Sequence, residues 1–153
     1  MNATVTCRTS AGVELHEEVL SIKQLRTTLG ARPGGVTVVD GVDLSVRRGK
    51  TLGIVGESGC GKSMLSLSVM GLVPPPCRVE GRIEFSGRNL LDLSPAEMRR
   101  IRGNRIAMIF QEPMTSLNPV LTVGFQIVEA MRAHDRKSSY EALRRRAIEA
   151  LVQ

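Results

Sequence analysis

An α/β fold is what the sequence predicts: strands around a glycine-rich loop, followed by helices toward the end of the chain. Three observations carry this expectation. Two short apolar runs, TLGIV (51–55) and RIAMIF (105–110), have the composition of strands buried on both faces. Between the first run and a stretch of helical spacing lies GESGCGKS (56–63), three glycines in eight residues. The last third of the chain, by contrast, is written in amphipathic helical patterns.

Taken in order, residues 1–17 read as a loose polar tail. EVLSIKQLRTTL (18–29) reads as a strand with some alternation, and GARPGG (30–35) as a turn. VTVVDGVDLSV (36–46) is β-branched and strand-like, and RRGK closes a turn. After the glycine loop, KSMLSLSVMGL has helical spacing with Leu65, Val69 and Leu72 on one side; VPPPC ends it because proline cannot continue a helix. GRIEFSGRNLLDLS gives a further strand and turn. A helix then starts at Ser94 as N-cap, with Pro95 at N1, Glu97 at N3 and Gly103 as the stop. QEPMTSLNPVLTVG is a long irregular link, followed by a helix over FQIVEAMRAH. Ser138-x-x-Glu141 fits a capping box for the last helix, whose Leu143, Ala147 and Leu151 repeat every four residues. The pattern reaches Gln153 with no Gly or Pro stop, which predicts a fold cut before completion.

Composition narrows the possible classes. With 42% apolar residues the chain is not of disordered type, and with 3% aromatics its core must be aliphatic. Cys7, Cys60 and Cys77 show neither paired nor metal-ligand spacing and read as free thiols of a reducing compartment. The N-terminus lacks a basic segment followed by an apolar one, so no signal peptide is expected, and no apolar stretch approaches a membrane span. The net charge of +6 comes mostly from arginines. Arg99, Arg100, Arg102 and Arg105, and Arg144, Arg145 and Arg146, have no aromatic platforms among them, so they read as solvated helix faces rather than a nucleic-acid surface.

Residues 56–63 satisfy G-x-x-x-x-G-K-[ST] in the required context, apolar run before and helix after. Gly56, Gly59 and Gly61 permit positive φ, which lets successive N–H groups converge on an anion. The following helix aims its positive end at the same place. Lys62 supplies an ammonium for terminal phosphates and Ser63 a hydroxyl for Mg²⁺. Glu57, Ser58 and Cys60 contribute backbone amides more than side chains. The loop alone does not separate GTPases, kinases and transport ATPases.

The flanking stretches VVDGVDLSVRRGKTLGIVGESGCGKS and RIAMIFQEPMTSLNPVLTVGFQI resemble the ATP-binding subunit of an ABC transporter, specifically the dipeptide/oligopeptide/nickel importer branch. The resemblance runs from about Val19 to the last residue. It implies a mixed sheet with an antiparallel N-terminal part, a P-loop NTPase core over 18–119, and an incomplete helical subdomain beginning at about 120 and running to 153. Residues 56–63 match the Walker A motif. Gln111 matches the Q-loop glutamine, which in that family reaches Mg²⁺ and the attacking water. The resemblance further implies ATP and Mg²⁺ as ligands, membrane subunits contacted through 111–119, a second ATP-binding subunit, an external substrate-binding protein acting indirectly, and a peripheral place at the cytoplasmic face of the membrane. Two departures stand out. Leu29 occupies the position where many relatives stack an aromatic ring on adenine. The signature loop, the Walker B Asp, the catalytic Glu and the switch His find no match; His134, Asp135 and Glu141 lie on polar helical stretches instead. A truncated, non-hydrolysing nucleotide-binding module is therefore the alternative expectation.

Overall fold

The structure is a computed structural model that describes residues 17–30, 34–111 and 116–152. Most of the expected polar tail thus lies outside the described residues, as does Cys7. Among the described residues Cys60 and Cys77 are free thiols. The described chain forms two compact units, one up to Met98 and one from Arg99.

The first unit is built on an antiparallel sheet in the order β2-β1-β3-β4, formed by β1 (Glu18–Leu29), β2 (Val36–Arg47), β3 (Cys77–Phe85) and the short β4 (Arg88–Asn89). β1 coincides with the predicted strand, whereas β3 starts at Cys77, ahead of the predicted GRIEF. Helix α1 (Lys62–Met70) contacts both β1 and β2. Ile22, Leu25, Val39, Leu65, Ile83 and Phe85 are buried here.

A β-bulge breaks the alternation of β1. Ile22 and Leu25 are three residues apart, yet their partners Leu44 and Val42 on β2 are two apart. The same extra residue appears against β3, where Lys23 and Arg26 face Arg82 and Glu80. Gln24 is the residue that turns, at φ +48°. Asp43 holds it there, its carboxylate accepting from the Gln24 backbone N–H at 2.8 Å and from the side-chain amide at 2.6 Å. Gly81 lies flush against the Gln24 carbonyl, where a Cβ would collide. The bulge is why both Ile22 and Leu25 reach the core.

The two apolar runs do not form the expected strands. Residues 51–55 have no ladder partner among the described residues, and Val55 is 77% exposed. In the second unit, 105–110 contribute only a single bridge, Arg102 to Ile106, and Ile109 is 98% exposed. A strand buried on both faces needs neighbours on both sides, and neither run is hydrogen-bonded into the described sheet.

α2 (Pro95–Ile101) begins as predicted, by a capping box. The Glu97 N–H donates to Ser94 Oγ at 3.3 Å, and the Ser94 N–H and hydroxyl donate to the Glu97 carboxylate at 3.0 and 2.8 Å. Arg88 adds an ion pair to Glu97 at 2.7 Å.

In the second unit α3 (Val123–Arg132) packs on α4 (Tyr140–Val152), burying Val128, Leu143 and Ala147 with Ile127 and Met131 partly covered. Thr122 caps α3. Gln126 ties down the preceding link, accepting from the Asn118 N–H at 2.8 Å and donating to the Asn118 and Leu121 carbonyls at 3.0 Å. The cap of α4 is Ser139 rather than the predicted Ser138: the Ala142 N–H donates to Ser139 Oγ at 3.3 Å. Ser138 instead gives its hydroxyl to Asp135 at 2.7 Å. Leu151, expected on the buried stripe, is 64% exposed.

Glu97 is pushed down to about 2, first by the side-chain hydrogen bond from Arg88 and then by the backbone and hydroxyl hydrogen bonds of Ser94. An unfolded carboxyl titrates near ~4.3, so folding favours the anion. The resulting stabilisation is complete above that unfolded value and disappears as pH falls through it toward about 2. Denaturation midpoints measured from about pH 7 down to about pH 3 should therefore fall more steeply for the native sequence than for Glu97→Gln; parallel curves would contradict the capping assignment.

Candidate functional site

The glycine loop leaves the unpaired run 51–55 and turns directly into α1. Gly59 and Gly61 stand at φ +79° and +95°. At Gly61 glycine is required for a second reason: the Val38 carbonyl of β2 sits where a Cβ would be. The loop therefore enters the helix by folding over the backbone of β2, and the sheet sets where the helix begins. The Leu65 N–H takes the Gly61 carbonyl at 2.8 Å as the first intrahelical bond. The amides of Lys62, Ser63 and Met64 precede that bond and have no acceptor within the helix.

Among the helices, α1 starts differently from the rest. Its N-cap Gly61 offers no side-chain cap, and its first turn carries no acidic residue. α2, α3 and α4 each take a hydroxyl cap, from Ser94, Thr122 and Ser139. The positive end of α1 is thus left to whatever lies beyond Gly61.

Lys62 folds back over the loop. Its ammonium donates to the Gly56 and Glu57 carbonyls, both at 2.7 Å, and lies 3.3 Å from Cys60 Sγ. The turn between is closed by the Cys60 N–H to the Glu57 carbonyl at 3.3 Å. A Cβ on Gly56 would meet Cys60 Sγ at 2.6 Å and lie 3.9 Å from Lys62 Nζ. Glycine at 56 thus makes room for the Cys60 side chain and glycine at 61 for the backbone of β2, and the Lys62 ammonium closes over the loop. Gly56, Glu57, Ser58, Gly59 and Ser63 are exposed, while Cys60, Gly61 and Lys62 are half-buried. This donor set suits a polyanion such as a nucleotide's phosphates: amides, an ammonium and the Ser63 hydroxyl, with no carboxylate in the first helical turn to oppose it.

The other predicted residues are dispersed. Leu29 ends β1, half-buried, paired with Val36 and Cys77. Gln111 belongs to the second unit and is exposed; of the link that follows, 112–115 lie outside the described residues. His134 and Asp135 line an open cleft of the second unit with Asn118, Gln126 and Arg146. Asp135 is held there as a structural acid. It accepts from the Ser138 hydroxyl at 2.7 Å, the Ser138 and Lys137 amides at 3.1 and 3.2 Å, and Arg146 at 3.1 Å. The Ser138 hydroxyl, more than Arg146, keeps its carboxyl below the usual range.

Two supports of the loop escaped the sequence reading. One is the Val38 carbonyl, which no side-chain pattern announces. The other is Ser68, buried on α1 in place of the predicted Val69–Leu72 stripe. Its hydroxyl meets Thr27 Oγ1 at 2.7 Å. The only sequence signal was its spacing, three residues after Leu65.

A glycine loop folding over a strand into the uncapped start of a helix, with a lysine across its mouth, defines the P-loop NTPase class. Within that class, the chain belongs to the ABC transporter family, whose sequence model matches residues 39–152. The chain is 50% identical over 135 residues to a probable peptide ABC transporter ATP-binding protein of Sinorhizobium fredii, covering 87% of this chain and 40% of that one. It is 44% identical over 126 residues to the oligopeptide transport ATP-binding protein OppD of Escherichia coli, covering 82% and 37%. It therefore spans about two-fifths of the length of these relatives. Among solved structures, a dimeric ATP-binding cassette, MJ0796, in a post-hydrolysis state bound to ADP and Pi, superposes with a TM-score of 0.70 at 25% identity, over 86% of this chain and 55% of that one.

Gly61→Ala faces both a left-handed backbone and the Val38 carbonyl, whereas a Cβ on Gly59 meets nothing within 4 Å. Gly59→Ala should cost about 1–3 kcal/mol from backbone strain alone, and Gly61→Ala more. Equal losses in urea denaturation would contradict the packing of Gly61 on β2.

Proposed function

We propose that this chain binds Mg²⁺–ATP through residues 56–63, as the nucleotide-binding part of an ABC importer of peptides or, within the same branch, nickel. The carrying observation is the entry into α1: a left-handed Gly61, no side-chain cap and no acidic residue in the first turn, with the Lys62 ammonium above. The names of the peptide-transport relatives support the cargo class.

In this reading the free amides at the start of α1 donate to the terminal phosphate oxygens, and Lys62 exchanges its two carbonyl partners for phosphate oxygens. Ser63, exposed in the first turn, would offer its hydroxyl to Mg²⁺; Gln111, exposed in the second unit, is the other side chain proposed as a metal ligand. The metal, when bound, neutralises charge on the phosphate oxygens. The stretch 111–119 would meet the membrane subunits, and a second ATP-binding subunit would complete the nucleotide sites. An external substrate-binding protein would act through those membrane subunits, with no role for nucleic acid. The division of labour between 18–119 and 120–153, and a place at the cytoplasmic face of the membrane, belong to the same proposal. No helix among the described residues is long and apolar enough to cross a membrane.

One observation favours a non-hydrolysing module as a second reading. Leu29, half-buried at the end of β1, stands where the resemblance would put an adenine-stacking aromatic ring. Clear Mg²⁺-dependent phosphate release by the purified chain would reject that reading.

Lys62→Ala removes a charged donor worth roughly 1.5–3 kcal/mol, so ATP affinity measured calorimetrically should fall about ten- to a hundredfold. Unchanged affinity would overturn the site.

A further inference from the structure

We propose that the buried Thr27–Ser68 hydroxyl pair is a positioning element for the phosphate loop, fixing the orientation in which α1 presents Lys62 and Ser63. The inference rests on the nucleotide-binding reading above.

Thr27 and Ser68 are 0% and 1% exposed, and their oxygens lie 2.7 Å apart across 41 residues of sequence. The direction of the bond follows from proton count. The Ser68 hydroxyl has one hydrogen and gives it to the Met64 carbonyl at 2.7 Å. The Thr27 hydroxyl is therefore the donor to Ser68. Every hydrogen in this small chain has a destination, and no buried side-chain oxygen among the described residues lacks a partner.

The placement gives the pair leverage. Thr27 lies on the central strand β1, opposite Val39 of β2. Val39 is the neighbour of Val38, whose carbonyl abuts Gly61. α1 is thus held to the sheet at both ends of its 9 residues, by backbone contact at Gly61 and by a directional hydrogen bond at Ser68. Ser68 stands six residues beyond Lys62, roughly 9 Å along the helix axis. A small roll of the helix at Ser68 therefore re-aims the first-turn amides and the root of the lysine. Apolar contacts resist such a roll weakly, because burial is not directional, and Leu65 and Met70 are the only buried apolar residues of α1. A hydrogen bond weakens steeply as its angle bends.

A merely structural pair would affect stability without affecting the loop. The test uses the whole chain and Mg²⁺–ATP as probe, with affinity by calorimetry at a temperature where the melting curve shows each variant folded. Thr27→Val keeps the shape, removes the donor and leaves Ser68 its bond to Met64. It should weaken binding about tenfold, the size of one hydrogen bond's net free energy. Thr27→Ser should stay within about twofold of the native chain, since it keeps the donor. Ile83→Val, a buried cavity change on β3, should lower the melting temperature yet leave affinity native. If Thr27→Val does not fold, Ser68→Ala is read in its place with the same expectation. Native affinity in the variant lacking the hydroxyl would overturn the proposal, as would an equal loss in Ile83→Val. Failure of the native chain itself to bind would overturn the nucleotide reading, and this inference with it.

Discussion

At Gly61 the chain turns left-handed, at φ +95°, with its Cα pressed on the carbonyl of Val38. That contact can exist only if β2 is already in place, and β2 is held by β1, the strand that also pairs with β3. The phosphate loop is therefore not a free-standing motif. Its glycines make the turn possible, but the antiparallel sheet decides where the turn sits. The bulge at Gln24 takes part as well, since Asp43, three residues after Asp40 on β2, clamps β1 and brings Leu25 into the core beneath.

Polar groups are distributed according to two different rules. Where a helix has only a structural task, its first turn is satisfied from within, as by the reciprocal Ser94–Glu97 bonds or the Ser139 cap. Where the helix faces the loop, the chain withholds cap and carboxylate alike and places an ammonium there. An internal acceptor at that position would compete with an anion for the same amides. The electrostatic character of the loop thus arises from an omission as much as from Lys62.

How far the sequence could reveal this differs by element. The span of β1, the start of α2 and the identity of the loop rest on local chemistry: β-branched composition, a capping pattern, glycine spacing. All are visible in a few adjacent letters. The runs 51–55 and 105–110 carry an equally local apolar signal, but a strand is defined by its pairing, and neither run is hydrogen-bonded into the described sheet. Leu151 follows the same stripe as Leu143 and Ala147, yet it takes no part in the cluster they form with α3 and stays exposed. The shift from Ser138 to Ser139 came from a competitor in the chain, Asp135, which captures the earlier hydroxyl. The supports of the candidate site were the least legible: a backbone carbonyl on Val38 and a threonine 41 residues from its partner leave no periodic trace.

Membership of the ABC transporter family and the likeness to a solved ATP-binding cassette agree with a loop that is shaped by the sheet and electrostatically left open. The most direct test of this account follows the backbone amides of residues 56–64 by nuclear magnetic resonance while inorganic tripolyphosphate, and separately adenosine, is added. Convergence of those amides on a phosphate predicts large, saturable shifts at Gly59, Gly61, Lys62 and Ser63 with tripolyphosphate, and small ones with adenosine. Loop amides unmoved by tripolyphosphate, with the shifts falling elsewhere in the chain, would contradict it.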